Sequence, residues 1–271
     1  MAGLSKSDSS HKSHDMGMHD EQLTGRTQQM YFSPSEDENF EHAYAYDVDF
    51  SKATEFDCAD LSTTDINIKI RNLMKEGYGT INIINPMGKH ALGVGILNRL
   101  NLTFEGSLGY FACGLIDGPN VHINGRVGWS CAENMLAGTV IIEKNAGSLF
   151  GAAIRGGIDQ KGGTIIVGGD VGAFTGFMMQ RGRMIILGDA RENLGDSMYD
   201  GTIYLAGKAK SLGVDAVEAE LTELDIRYLK GKLALYGMEA PNGIENITKI
   251  SSGKQLWNYD NLEPTEKKLV L

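Results

Sequence analysis

The stretch that decides the fold is "TIIVGGDVGAFTG", Thr164 to Gly176. A short β-branched run passes into clustered glycines. The same order of residues can open a phosphate-cradling nucleotide loop or a turn between strands. The nucleotide reading requires G-x-G-x-x-G spacing or a P-loop Lys-Ser/Thr, followed by a helix. The sequence offers none of these. Its glycines instead recur in the neighbouring segments, which points to a structural repeat.

Working outward, the segments align as "LTFEGSLGYFACGLIDG", "VHINGRVGWSCAENMLAG", "VIIEKNAGSLFGAAIRGG", "IIVGGDVGAFTGFMMQRG", "MIILGDARENLGDSMYDG" and "IYLAGKAKSLG". The first marked position falls at Gly106, Gly125, Lys144, Gly169, Gly188 and Gly207, in steps of 19, 19, 25, 19 and 19. Further repeat glycines are Gly109, Gly128, Gly147 and Gly172. One Ile/Val-rich strand and several glycines per unit predict a β-solenoid in which each unit is one coil. Glycine meets corners that need positive φ or close backbone approach without a Cβ penalty. Side chains alternate between faces, so Ile165 and Val167 share one face, as do Ile185 and Leu187. The 25-residue step places about six extra residues near Arg155 to Gly163, read as a protruding loop.

Composition narrows the class. The 271 residues include 35 glycines but only five prolines, without a Gly every third residue, which excludes collagen. The formal net charge of −10 disfavours nucleic-acid partners. No apolar run approaches the ~20 residues needed to cross a bilayer. The N-terminus lacks a hydrophobic signal segment, so the expected location is the cytoplasm. Three cysteines, Cys58, Cys113 and Cys131, form no CxxC pair and read as reduced thiols.

Four regions follow: a flexible polar and acidic arm at 1–45, an N-terminal cap with a short helix at 46–78, the glycine-rich repeat at 79–213, and a C-terminal helix and tail at 214–271. The end of the arm, with Phe40, Tyr44, Tyr46 and Phe50 among acids, suits a segment lying along another surface. Within "DLSTTDINIKIRNLMKEG", Ser62 or Thr63 is placed to cap a helix ended by Gly77. Ile66, Ile70 and Leu73 carry its spacing, although Ile66, Ile68 and Ile70 also alternate like a strand. At the other end, Asp215 and Glu218 read as a capping box, with Val217, Leu221, Leu224 and Tyr228 on one face. That helix is expected to cover one end of the solenoid. Leu256, Trp257 and Tyr259 in the tail are expected to pack back or meet a partner.

Candidate chemistry is sparse. His11, His14 and His19 with Met16 and Met18 are soft-metal ligand types, but they sit in the arm, where a solvated tail is the plainer reading. Cys113 and Cys131 lie one residue out of register between units, which on a strand reverses the face. They read as buried small thiols, and three scattered cysteines argue against an iron–sulfur cluster held by this chain alone. His90 and Glu133 stand out as polar residues inside coils, suited to a structural or interface role or to lining a shared site. Arg155, Arg181 and Arg183 are placed to meet anionic groups at an interface, or else to form solvated faces and ion pairs. No nucleophile–base or paired-carboxylate set has motif spacing, so no catalytic, cofactor-binding or metal residue is assigned.

The units "GRVGWSCAENMLAGTVIIEKNAGSLFGAAIRGG" and "GTIIVGGDVGAFTGFMMQRGRMIILGDARENLGDSMYDGTIYLAG" resemble the glycine-rich β-helix domain at the C-terminal end of the glutamate synthase large subunit. The resemblance spans roughly residues 60 to 235. "INPMGKHALGVG", "AENMLAGTV" and "GDSMYDGTIYLAGKAKSLGVDA" are most similar to stand-alone β-helix subunits of split glutamate synthase-like complexes. Among these, N-methylglutamate synthase of methylamine metabolism has the best-defined function. The resemblance implies an all-β, right-handed parallel β-helix of about six to seven coils. It implies a scaffold role between a class II glutamine amidotransferase-like subunit and an FMN-dependent synthase subunit, which usually carries an iron–sulfur cluster. The family lends no catalytic residue to this chain. Lys144 in place of a repeat glycine, the long arm and the extended tail depart from the pattern. Two alternatives stand beside it. One is the β-helix component of formylmethanofuran dehydrogenase, which works beside a molybdenum or tungsten subunit. The other is a free-standing structural solenoid.

Overall fold

The computed structural model describes residues 44–155 and 162–255. The His/Met cluster of the arm, most of the predicted Arg155–Gly163 loop, and Leu256, Trp257 and Tyr259 fall outside these residues. The order is β1 (Asp49–Asp57), α1 (Thr63–Lys75), β2 (Tyr78–Ile84), β3 (Asn101–Glu105), β4 (Asp117–Ile123), β5 (Ala137–Ile142) and β6 (Thr164–Val167). It continues with β7 (Arg183–Ile186), β8 (Thr202–Leu205), β9 (Ala216–Ala219), α2 (Glu223–Leu235), a 3₁₀ turn (Ile244–Asn246) and β10 (Thr248–Ser252). The fold is mostly sheet: one open, mixed sheet of ten strands in the order β1-β2-β3-β4-β5-β6-β7-β8-β10-β9.

Strands β1 to β8 pair in parallel with their sequence neighbours. The register carries the sequence period. Thr164 pairs with Arg183, and Arg183 with Thr202, each 19 residues on, while Thr139 pairs with Thr164 across the 25-residue step. One row of side chains runs through the sheet as Ile81, Leu102, Val121, Val140, Ile165, Met184 and Ile203. All seven are buried in the main core. Burying each large apolar side chain contributes about 1.5–3 kcal/mol.

Two further hydrogen-bonded ladders link the same units. One joins Val127, Ala146, Val171, Ala190 and Ala209 by parallel bridges. The other runs through the residues after it: Phe111 N–H donates to Trp129 O, Ala132 N–H to Ala112 O, and Leu149 N–H to Ala173 O. In this ladder Phe111, Ser130, Leu149 and Phe174 all have φ between 54° and 56°. Left-handed backbone costs a non-glycine residue about 1–2 kcal/mol, which the inter-unit hydrogen bonds offset.

Ser62 caps α1, accepting from Asp65 N–H, and Ile66, Ile70 and Met74 are its buried face. Ile68 is 48% exposed, so the helical spacing holds and the strand-like alternation does not. At the C-terminal side the structure corrects the expectation. Residues Ala216–Ala219 are a strand that pairs antiparallel with β10, and β10 pairs antiparallel with β8. The helix starts at Glu223, with Thr222 and Asp225 as the capping box. Leu229 and Leu233 pack with Ile166, Ile185 and Tyr204, which project from the opposite face of β6–β8 to the main core. The helix therefore covers a face of the sheet, and the β10–β9 pair covers its end. Leu224, placed on the apolar face by the sequence reading, is 67% exposed.

Candidate interaction surface

After β2 the chain is clamped to α1 and the turn before it. Lys89 Nζ donates to the carbonyls of Cys58 (3.0 Å) and Ala59 (2.8 Å). Thr63 donates to His90 O (3.2 Å) and Asn67 to Ala91 O (2.8 Å). These bonds set the His90 backbone. Its ring Nδ1 accepts from Tyr110 N–H at 2.9 Å. The imidazole stacks on Tyr110 at 4.4 Å between centroids, and Tyr110 stacks on Trp129 at 5.3 Å. The spacing approximates the ~4.8 Å rise between hydrogen-bonded strands. Each ring belongs to a successive unit.

The repeat glycines explain why the rings can lie this way. A Cβ at Gly109 would strike the His90 ring. One at Gly128 would come 2.7 Å from Tyr110 Cδ1, and one at Gly147 the same distance from Trp129 Cδ1. Each ring thus rests over a glycine of the next unit. The other glycine column is set by backbone approach: a Cβ at Gly125 would lie 2.5 Å from Gly106 C, and one at Gly188 2.5 Å from Gly169 C. Likewise, a Cβ at Gly172 would collide with Ser148 N, and one at Gly207 with Gly188 O.

Tyr110 is 50% and Trp129 58% exposed. Neither the Tyr110 hydroxyl nor Trp129 Nε1–H has a hydrogen-bond partner among the described residues. Arg126 and Lys144 stand exposed at the adjoining corner, without an ion-pair partner among the described residues.

The other predicted residues lie apart from this stack. Glu133 is half-buried, its carbonyl accepting from Leu115 N–H at 2.9 Å, and no hydrogen bond or ion pair joins it to His90. Arg155 is exposed at the edge of the described region, with its N–H on Met135 O. Arg181 is half-buried, its N–H on Ile154 O. Arg183 is engaged within the chain: its guanidinium lies 4.7 Å from the Tyr228 ring centroid, beside α2. Cys113 and Cys131 are both fully buried and adjacent. The face reversal expected from their one-residue offset fails because Cys113 has φ 55° and is not in a strand. The Cys113 contact and burial push the Cys131 thiol well up.

Ionisable pairs among the described residues also escaped the sequence reading, the Lys210–Glu192 pair among them. His122 Nε2 and Glu143 Oε1 meet at 2.5 Å between β4 and the residue after β5. Under α2, Asp225 accepts from Tyr204 (2.5 Å), Lys249 (2.8 Å) and Thr222 (2.7 Å). Burial opposes ionisation of Asp225, and these hydrogen bonds overcome it, holding its carboxyl well below the usual range. Thr222-x-x-Asp225 was the available signal, but a capping box is normally sought with Glu or Gln at its last position. Among the described residues no group of three His, Cys, Asp or Glu is placed to hold a metal ion, and no helix is long and apolar enough to cross a membrane.

Fold and surface together define a class: a glycine-repeat β-sheet protein that displays a stacked aromatic stripe. No family model and no solved structure matches the chain. Protein GlxC of Rhizobium meliloti (strain 1021) is 34% identical over 218 residues, covering 74% of this chain and 95% of that protein. The chain belongs to the family of that protein.

Proposed function

We propose that this chain is a non-catalytic β-helix scaffold subunit of a glutamate synthase-type complex in the cytoplasm. In this reading its repeats wind right-handedly and join a class II glutamine amidotransferase-like subunit to an FMN-dependent synthase subunit. The complex is N-methylglutamate synthase, which forms N-methylglutamate from glutamate and methylamine and releases ammonia. FMN and an iron–sulfur cluster reside in the synthase subunit. The observation that carries the reading is the relationship to Protein GlxC over 95% of that protein's length. The three ladders support a rigid stack of coils, and an exposed aromatic stripe is the kind of surface that other chains cover.

The test is purification of the tagged full chain from its native source. The expected material contains two further chains, shows flavin absorbance, and makes N-methylglutamate. Turnover of glutamine or glutamate by the chain alone sinks the scaffold reading. A co-purifying molybdopterin or tungstopterin enzyme moves the assignment to the formylmethanofuran dehydrogenase type.

A further inference from the structure

Within the stack the ring faces of His90, Tyr110 and Trp129 are turned to one another, with interplanar angles of 14° and 16°. Their edges face outward. Aromatic edges carry the positive part of the ring quadrupole. Hydrogen-bond donors sit at those edges. Because His90 Nδ1 accepts from Tyr110 N–H, the neutral imidazole carries its proton on Nε2. The Tyr110 hydroxyl and Trp129 Nε1–H lack partners among the described residues. Arg126 lies three residues before Trp129, and Lys144 is next to it on the following unit, where its N–H donates to Gly125 O at 3.1 Å. In a chain of net charge −10 this stripe gathers donors and cations.

We propose that the Tyr110–Trp129 stripe with Arg126 and Lys144 is the docking site for an acidic segment of a partner protein. Its carboxylates meet the two cations and the indole and phenol donors. Its apolar side chains lie against the exposed ring edges. A second copy of this chain fits poorly, because a two-fold contact through the stripe sets Arg126 and Lys144 against their own kind. A nucleic acid fits poorly too. The chain's net charge repels phosphates, and the ring faces that His90, Tyr110 and Trp129 turn to one another are not open to bases. The inference rests on the scaffold reading and names the surface that one partner uses.

The test compares tagged full-length wild type, Trp129→Ala and the double variant Arg126→Glu/Lys144→Glu, each purified from the native source. All three side chains are exposed, so melting temperatures should agree within ~2 °C. If Trp129→Ala fails to fold, the charge-reversal variant decides. Both variants are expected to lose one partner chain by about ten-fold or more. A zero-length carbodiimide cross-linker on the wild-type complex should join Lys144 to an acidic peptide of that chain. Wild type purified without a second chain overturns the scaffold reading and this inference together. Full retention of every partner by both variants overturns the inference alone, as does a Lys144 cross-link only to another copy of this chain.

Discussion

Tyr204 donates its phenolic hydrogen to the Asp225 carboxylate at 2.5 Å, tying the outward face of the sheet to helix α2. Lys249 of β10 reaches the other carboxylate oxygen at 2.8 Å. One aspartate thus joins a strand of the repeat, the capping box of α2 and the strand that closes the sheet. Burial and the Asp225 bond push the Tyr204 hydroxyl up, so it remains a protonated donor through neutral pH.

Stability should depend on pH through Asp225. Its folded pKa is depressed, whereas an unfolded aspartate titrates near about 3.9. The stabilisation is therefore fully present at neutral pH and is lost as pH falls below about 4 towards the folded value. Asp225→Asn should cost about 2–4 kcal/mol at pH 7, with a gap that narrows on acidification. Urea unfolding from pH 7 to pH 3 measures both. A gap that stays constant would show that ionised Asp225 is not the anchor.

Two glycine substitutions should act in opposite directions. At Gly147 a Cβ would sit 2.7 Å from both Gly128 C and Trp129 Cδ1, so Gly147→Ala should destabilise by about 1–3 kcal/mol. At Gly231, inside α2, nothing lies within 4 Å, and Gly231→Ala should stabilise by about 0.5–1 kcal/mol. Calorimetry of the pair against wild type separates close packing from helix propensity.

The position of α2 makes a third contrast. Leu229 is fully buried against the sheet, and Leu229→Ala should cost about 2–5 kcal/mol. Leu224→Ala, at a side chain 67% exposed, should stay within about 0.5 kcal/mol of wild type. Equal effects would place the helix in another rotation.

Thiol chemistry reports on the core. All three cysteines are free and buried, and burial raises the Cys58 thiol as well. The native protein at pH 8 should react with an aromatic disulfide reagent only at the rate of unfolding. In denaturant all three thiols should titrate at once. Fast labelling of Cys113 or Cys131 in the native state would mean that the ladder region opens locally.

The repeat was legible because it is written in local chemistry. Steps of 19 and 25 between marked positions reappear as the strand register from β5 to β8. His90 was singled out as a lone polar residue, but its ring partners were not. The signal existed: Tyr110 and Trp129 each fall four residues after a marked glycine. A shared offset identifies a column, but alone does not say whether the column points outward. Asp225 was hidden for a different reason, since its partners Tyr204 and Lys249 lie 21 and 24 residues away on separate strands.

By itself the sequence determined the period, which side chains of one strand share a face, and the Ser62–Thr63 region as the start of α1, because glycine sterics, alternation and side-chain capping act within a few residues. Only the tertiary structure decided where α2 lies. Outward positions are polar at Asn82, Thr103 and His122 and apolar at Ile141, Ile166 and Ile185, ending at Tyr204. Burying that second face required a helix from more than 15 residues downstream, and the strand Ala216–Ala219 formed only because β10 supplied its hydrogen-bond partners. The burial of one face by a distant segment is a property of the assembled sheet and is not encoded in either segment's local pattern.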